Sequence, residues 1–223
     1  YSSVSGNTKE MVQLVDRVHE IGAKVFAFID TPGTTLTAPD KQDYLIMYPK
    51  NEQLKFYMVA NYLMYKNGEF PQYEAYNKEM EAHLAQVLVD VEKEADAWAY
   101  EYAKNKVAFL ADHPDLPHYF IGSGNQYGAT YSYAMCYWEE QMWIRTKSIS
   151  CQEFFHGMQE IIVADTPVTL FMGEDEQRPL AERVARFLPK VCANYTVIDT
   201  KELELKGISE ENRGSISHLV MHG

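Results

Sequence analysis

Short apolar runs alternate with amphipathic stripes along this chain, and that alternation limits its fold more than any other feature. Residues 24–30 (Lys-Val-Phe-Ala-Phe-Ile-Asp) form an apolar run too short for a helix. A run without polar alternation reads as a strand covered on both faces, as in a parallel sheet. Before it, Met11, Leu14, Val15, Val18 and Ile21 trace one helical face, and Gly22 suits the stop. Thr31-Pro32-Gly33 turns the chain, residues 43–48 read as another strand, and residues 52–66 as a helix rich in Tyr and Met. Residues 81–104 are the clearest helix, with Leu84, Leu88, Val91, Ala95, Trp98 and Tyr102 at alternating spacings of four and three. A second α/β unit follows: a strand at 118–121, a glycine-rich turn at 122–128, an apolar helix at 129–144, a strand around 168–172, an amphipathic helix at 177–188 and a last strand at 195–199. No closing element is visible after the Ser/Asn/Gly-rich stretch before Gly223. Strand–helix succession of this kind predicts an α/β fold with parallel sheets, in two similar lobes joined by the long helix.

Composition narrows the function. At 223 residues and 46% apolar the chain is globular, and a formal charge of −12 lacks the basic footprint expected of a nucleic-acid binder. It has no apolar stretch near 18 residues and no signal peptide, which argues against a membrane partner. Cys136, Cys151 and Cys192 make no metal or redox spacing, and an odd count suits a reducing, cytoplasmic setting. No metal ligand set is visible. The chain starts without Met in what reads as a loop following a strand, so it is expected to be a fragment.

The opening Tyr-Ser-Ser-Val-Ser-Gly-Asn-Thr sets hydroxyls at Ser2, Ser3, Ser5 and Thr8 around Gly6, directly before a helix. Free N–H groups at a helix start, the helix dipole and neighbouring hydroxyls together make an anion cradle suited to a phosphate monoester. Ser5 or Thr8 could instead cap the helix. Farther on, Glu139 and Glu140 stand between Trp138 and Trp143, and sixteen residues after Glu140 comes His156, between aromatics and a glycine. Such a carboxylate is either a solvated face residue or a base in apolar surroundings, and such a histidine is either a packed loop residue or a catalytic one.

The segments Ser3-Val4-Ser5-Gly6-Asn7-Thr8, Gly122-Ser123-Gly124-Asn125-Gln126-Tyr127 and Glu140 through Phe155-His156-Gly157 together resemble the double-SIS (sugar isomerase) phosphosugar-binding family. The string Glu153-Phe154-Phe155-His156-Gly157, with Glu140-Gln141-Met142-Trp143-Ile144 before it, is similar to the bacterial fructosamine-6-phosphate deglycases. That resemblance implies two SIS lobes, each a three-layer α/β/α sandwich with a mostly parallel sheet. Residues 1–75 would be the later part of a first lobe truncated at its N-terminus, 76–104 a linking helix, and 105–223 a second lobe whose C-terminal tail lies outside the chain.

The resemblance also implies roles. Ser3, Ser5 and Thr8, with the Val4 N–H, would bind the substrate phosphate. Glu140 would be the general base and His156 its acid/base partner. The substrate would be a small sugar phosphate, no cofactor would be needed, and the protein would be a homodimer or higher homo-oligomer. The turn at 122–128 is not expected to hold substrate. Glu153 could orient His156 or face water. Lys55 could contact substrate, although a solvated surface lysine is the plainer reading. Glu139, turned roughly 100° from Glu140 on a helix, reads as structural or solvent-facing. His113 and His118 form no ligand set, and Tyr57, Tyr62, Tyr65, Tyr73 and Tyr76 read as core or interface. An aldose–ketose isomerase, an aminotransferase-type isomerase lobe or a non-catalytic sugar-phosphate sensor are the competing functions.

Overall fold

The structure is a computed structural model that describes residues 1–47 and 52–222. The chain divides into two compact units, Tyr1–Tyr73 and Glu74–Gly223. The first carries β1 (Ser2–Ser3), α1 (Lys9–Glu20), β2 (Phe26–Ile29), β3 (Tyr44–Ile46) and α2 (Glu52–Lys66). Its sheet order is β1-β2-β3, all parallel, with Ser3 opposite Ile29 and Phe28 opposite Ile46. Alternation along β2 sends Ala27 and Ile29 into a core with Val15 and Leu36, while Phe28 meets the Phe56 ring of α2 edge-on at 5.2 Å. The helical face expected of α1 is narrower than its sequence suggests. Val15 is buried, Met11 and Val18 are half-buried, and Leu14 and Ile21 are exposed. Gly22 ends the helix with φ +76°. The strand expected at 43–48 begins one residue later, and Tyr48 lies outside the described residues.

The second unit holds nearly all of α3 (Tyr73–Asp112), then β4 (His118–Gly122), α4 (Asn125–Ser132), a π-helix (Tyr133–Glu139), β5 (Thr146–Ser150), α5 (Cys151–Phe154), β6 (Val168–Met172), α6 (Arg178–Phe187), β7 (Tyr195–Asp199) and α7 (Glu210–His222). The sheet order is β5-β4-β6-β7, again wholly parallel. Its period-2 alternation builds three layers. Ile121, Leu170 and Met172 pack with Cys151, Phe154, Val184 and Leu188 on one side, while Phe120 and Phe171 pack with Tyr102, Leu110 and Trp138 on the other. The connection after β4 runs to β5 on one flank, and the next strand, β6, pairs on the opposite flank. Strand order therefore reverses beside the C-terminal end of β4, where α/β folds open a crevice.

Four sequence expectations need correction. The helix read at 81–104 runs 40 residues, because no Pro or Gly interrupts it between Pro71 and Pro114. The glycine-rich turn ends at Gly124, since Asn125 already opens α4. The helix read at 129–144 becomes a π-helix at Tyr133 and stops at Glu139, after which Trp143 adopts φ +57°. The wider turn keeps Ala134 and Trp138, four residues apart, on the core face. Finally, the chain does have a closing element. In α7, Ser215 Oγ and Ser217 Oγ donate to the Asn212 and Gly214 carbonyls at 2.7 and 3.1 Å, so its serines are absorbed while Ile216, Leu219 and Val220 are buried.

Candidate functional site

The β1–α1 loop gathers the residues expected to hold phosphate. Ser3 ends β1 and is buried, and its Oγ accepts the Gly6 N–H at 3.1 Å and lies 3.4 Å from Thr8 Oγ1. Gly6 has φ +62°, and a Cβ there would lie 2.0 Å from Thr34 Oγ1, so only glycine fits. Residues 31–35 pin the loop. Thr31 Oγ1 donates to the Val4 carbonyl at 2.8 Å, and Thr35 donates to Asn7 Oδ1 from both its N–H and its Oγ1 at 3.0 Å. Ser5 Oγ accepts the Asn7 N–H at 3.3 Å. Ser5 and Thr8 are exposed, as is the Val4 side chain. Thr8 occupies the N-cap position of α1 without a side-chain cap bond, so the capping reading of this residue fails. The first turn of α1 thus meets exposed hydroxyls and a helix dipole rather than a capping oxygen.

Lys55 differs from expectation. It is buried on α2, and its Nζ pairs with Asp30 Oδ1 at 3.0 Å. A solvated lysine is ruled out because this ammonium is held at the C-terminal end of β2.

In the second unit the π-helix delivers Glu140 as its C-terminal cap, with the Glu140 N–H donating to the Met135 carbonyl at 2.9 Å. Glu140 is exposed, and its carboxylate has no hydrogen-bond or ion-pair partner among the described residues. Of the two settings the sequence left open for Glu140, the structure shows the solvated one: Trp138 is fully buried in the core, and Trp143 is 89% exposed. The neighbouring Glu139 accepts from Thr146 Oγ1 at 2.6 Å, which fits its structural reading. His156 lies two residues after α5 and is exposed, with its N–H donating to the Glu153 carbonyl at 2.9 Å. The Glu153 side chain turns to Ser150 instead. Ser150 Oγ caps α5 by accepting the Glu153 N–H at 3.2 Å and donates to Glu153 Oε2 at 3.4 Å.

One feature escaped sequence reading. The start of α4 already holds an anion belonging to the chain itself. Asp175 Oδ2 accepts the Asn125 N–H at 2.5 Å, and Asp175 Oδ1 accepts the Gln177 N–H at 2.8 Å. Gln177 Oε1 accepts from the Gly124 N–H at 3.2 Å and from Gln152 Nε2 at 2.8 Å. Gly124 is obligatory, because its φ is +56° and a Cβ would lie 2.3 Å from the Asp175 carboxylate. This chain of contacts fills the seat at Gly122–Gly124 and ties α5, just ahead of His156, to the turn after β4. Contacts across about 50 residues carry no local signal.

His118 stands in the strand expected at 118–121. It opens β4 fully buried, with Nε2 2.8 Å from Thr169 Oγ1 and its ring stacked on Phe120. Burial, with the Lys106 charge adding to it, pushes its pKa down to about 3. Burial also pushes the Cys151 thiol up to about 11, which makes it a poor nucleophile. Among the described residues no three His, Cys, Asp or Glu side chains gather as a metal site, and no helix is long and apolar enough to cross a membrane.

No known family profile matches the chain. It is 28% identical over 229 residues to the fructosamine deglycase FrlB of Bacillus subtilis (strain 168), which covers 99% of this chain and 67% of that protein. Among solved structures, a Bacillus subtilis protein provisionally assigned as a phosphosugar isomerase superposes with TM-score 0.79 at 27% identity, over 99% of this chain and 67% of that one. The C-terminal domain of glucosamine-fructose-6-phosphate aminotransferase from Francisella tularensis gives TM-score 0.69 at 14% identity, over 99% and 66%, which speaks to the fold alone. The chain spans about two thirds of the length of the proteins it matches. With its two parallel α/β units, it has the SIS fold of the phosphosugar isomerases and is similar in sequence to a fructosamine deglycase.

Proposed function

We propose that the protein deglycates a 6-phosphorylated Amadori product, converting a fructosamine 6-phosphate and water to glucose 6-phosphate and an amine. The observation that carries this reading is the β1–α1 loop. Its exposed Ser5 and Thr8 hydroxyls stand at an uncapped helix start on a backbone locked by Gly6. The likeness to a fructosamine deglycase supports the choice of reaction.

In this reading Ser3, Ser5, Thr8 and the Val4 N–H bind the phosphate, away from the reacting carbons, so that binding energy is available for orientation. The Glu140 carboxylate removes a proton from C1. The electron pair moves into a C1–C2 double bond as the C2 carbonyl oxygen takes a proton, giving an enaminol. His156 serves this oxygen and the ring-opening that precedes it. Returning the proton to C2 turns the C1–C2 double bond into a C=N bond at C1, giving the Schiff base of the aldose. Water adds at C1 and the C–N bond breaks, releasing amine and glucose 6-phosphate. No electron leaves the substrate, so no redox cofactor is required. General acid–base transfer of this kind is typically worth about 10²–10⁴-fold. An exposed carboxylate and an exposed imidazole, neither engaged by another side chain among the described residues, suit these roles. Glu153 is held by Ser150, the N-cap of α5, and Lys55 by Asp30, and neither has a direct part in the chemistry. The working unit is a homo-oligomer.

The test is amine release from phosphorylated fructosamines, run beside interconversion of fructose 6-phosphate and glucose 6-phosphate by the intact protein. Amine release supports the proposal. Sugar interconversion without amine release would make the protein an aldose–ketose isomerase, and tight sugar-phosphate binding with neither reaction would make it a sensor.

A further inference from the structure

The second unit contains a cavity of about 480 Å³ that neither the phosphate loop nor the Glu140 and His156 chemistry uses. This volume falls within the roughly 300–1,000 Å³ of small-molecule sites. Trp98 of α3 and Tyr133 and Tyr137 of the π-helix contribute aromatic wall, and Glu94, Asp199 and Glu202 contribute carboxylates. Among the described residues no lysine or arginine lines it.

Two of the three carboxylates are uncommitted. Asp199 gives both oxygens to Arg178 at 2.8 and 2.6 Å and is neutralised in place. Glu94 and Glu202 have no hydrogen-bond or ion-pair partner among the described residues. Trp98 is 48% exposed and Tyr137 45% exposed, so ring surface is open to a guest.

These features select among guests. Aromatic faces carry negative quadrupole potential and attract cations, most strongly at tryptophan. Two unneutralised carboxylates add to that attraction and repel anions, which excludes a second sugar phosphate. Two carboxylates on a largely apolar wall supply too few oxygens to replace the hydration of a bare inorganic cation, and among the described residues no three His, Cys, Asp or Glu side chains gather to hold one.

We propose that this cavity binds a small organic cation: an ammonium or guanidinium borne on an aromatic or branched aliphatic body. Its body lies against Trp98, Tyr133 and Tyr137, and its charge faces Glu94 and Glu202. The assignment rests on the cavity alone and stands or falls independently of the deglycase reaction.

Three probes with nearly the same body and different charge test it: phenethylammonium, 2-phenylethanol and phenylacetate. Each is titrated into the intact protein by calorimetry, with tryptophan fluorescence as a second signal. The ammonium is expected to bind at least about tenfold more tightly than the alcohol, with no binding of the carboxylate. The double variant Glu94→Gln/Glu202→Gln, altered only at exposed positions, should erase the difference between ammonium and alcohol. Trp98→Ala should weaken both. Equal affinity for the ammonium and the alcohol, an ammonium preference that survives in the double variant, or no binding of the ammonium at millimolar concentration would overturn the proposal.

Discussion

Replacing Gly6 by alanine tests whether the β1–α1 loop is as tightly built as its contacts indicate. Gly6 has φ +62°, where an L-residue other than glycine costs roughly 1 kcal/mol. The added methyl would lie 2.0 Å from Thr34 Oγ1, 2.8 Å from Thr34 Cβ and 3.1 Å from Ile29 Cγ2. Thr34 must rotate, which breaks the 3.2 Å bond its hydroxyl donates to the Thr31 carbonyl, for about 1 kcal/mol more. Gly6→Ala should therefore destabilise the first unit by roughly 2 kcal/mol. Thr34→Ala alone should cost about 1 kcal/mol. In the double variant the 2.0 Å contact with Oγ1 is gone, although the residue-34 Cβ still lies 2.8 Å from the added methyl, so the cost should fall below the additive total of about 3 kcal/mol. Urea unfolding gives the free energies, and hydrogen exchange at the Leu36 amide, which bonds the Gly6 carbonyl at 2.9 Å, reports the loop directly. An additive cycle, or a Gly6→Ala cost below about 0.5 kcal/mol, would refute the steric argument.

Other expectations concern the second unit. Asp175→Ala leaves the Asn125 and Gln177 N–H groups without their acceptor and should cost about 1–3 kcal/mol in urea unfolding; an unchanged midpoint would contradict the link between the β4 and β6 loops. Arg213 donates to both oxygens of Glu174 at 2.7 and 2.9 Å with both side chains nearly buried, so Arg213→Met should cost about 3–5 kcal/mol; a loss under 1 kcal/mol by thermal unfolding would show that α7 is docked by other means. The folded-state pKa of His118 is about 3 against 6.5 unfolded, so between those values the unfolded chain binds more protons. Stability should thus be full above pH 6.5 and fall as pH drops toward 3, and His118→Phe should flatten that slope; an identical slope in the variant would contradict it.

The parallel α/β layout was legible because it rests on local patterns. The run at 24–30, the 3.6-residue stripe of α3 and the strand at Tyr195–Asp199 each announce themselves within a few residues. β5 (Thr-Lys-Ser-Ile-Ser) gave no such signal, because as an edge strand it is only partly buried and needs no apolar run. The closing helix was masked by Gly214 and its serines. That glycine is required by a neighbour distant in sequence, since a Cβ there would lie 2.8 Å from the Glu174 carbonyl oxygen. The β1–α1 loop was readable as composition, but that Thr8 makes no side-chain cap bond needed the structure. The sequence left the setting of Glu140 open between apolar and solvated, because a π-helix, invisible in the apolar pattern, turns Trp138 inward while the turn beyond it leaves Trp143 in solvent. Lys55 was misjudged because its partner Asp30 stands 25 residues away across a strand and a helix.

The most direct test of the account removes one proton acceptor. Glu140→Gln keeps the size and exposure of the side chain and should abolish amine release from a fructosamine 6-phosphate by the intact protein. Glucose 6-phosphate binding, measured by calorimetry, should stay within a few-fold of the unaltered protein. Near-normal turnover in that variant would contradict the assignment of Glu140 as the base, and with it the proposed reaction path.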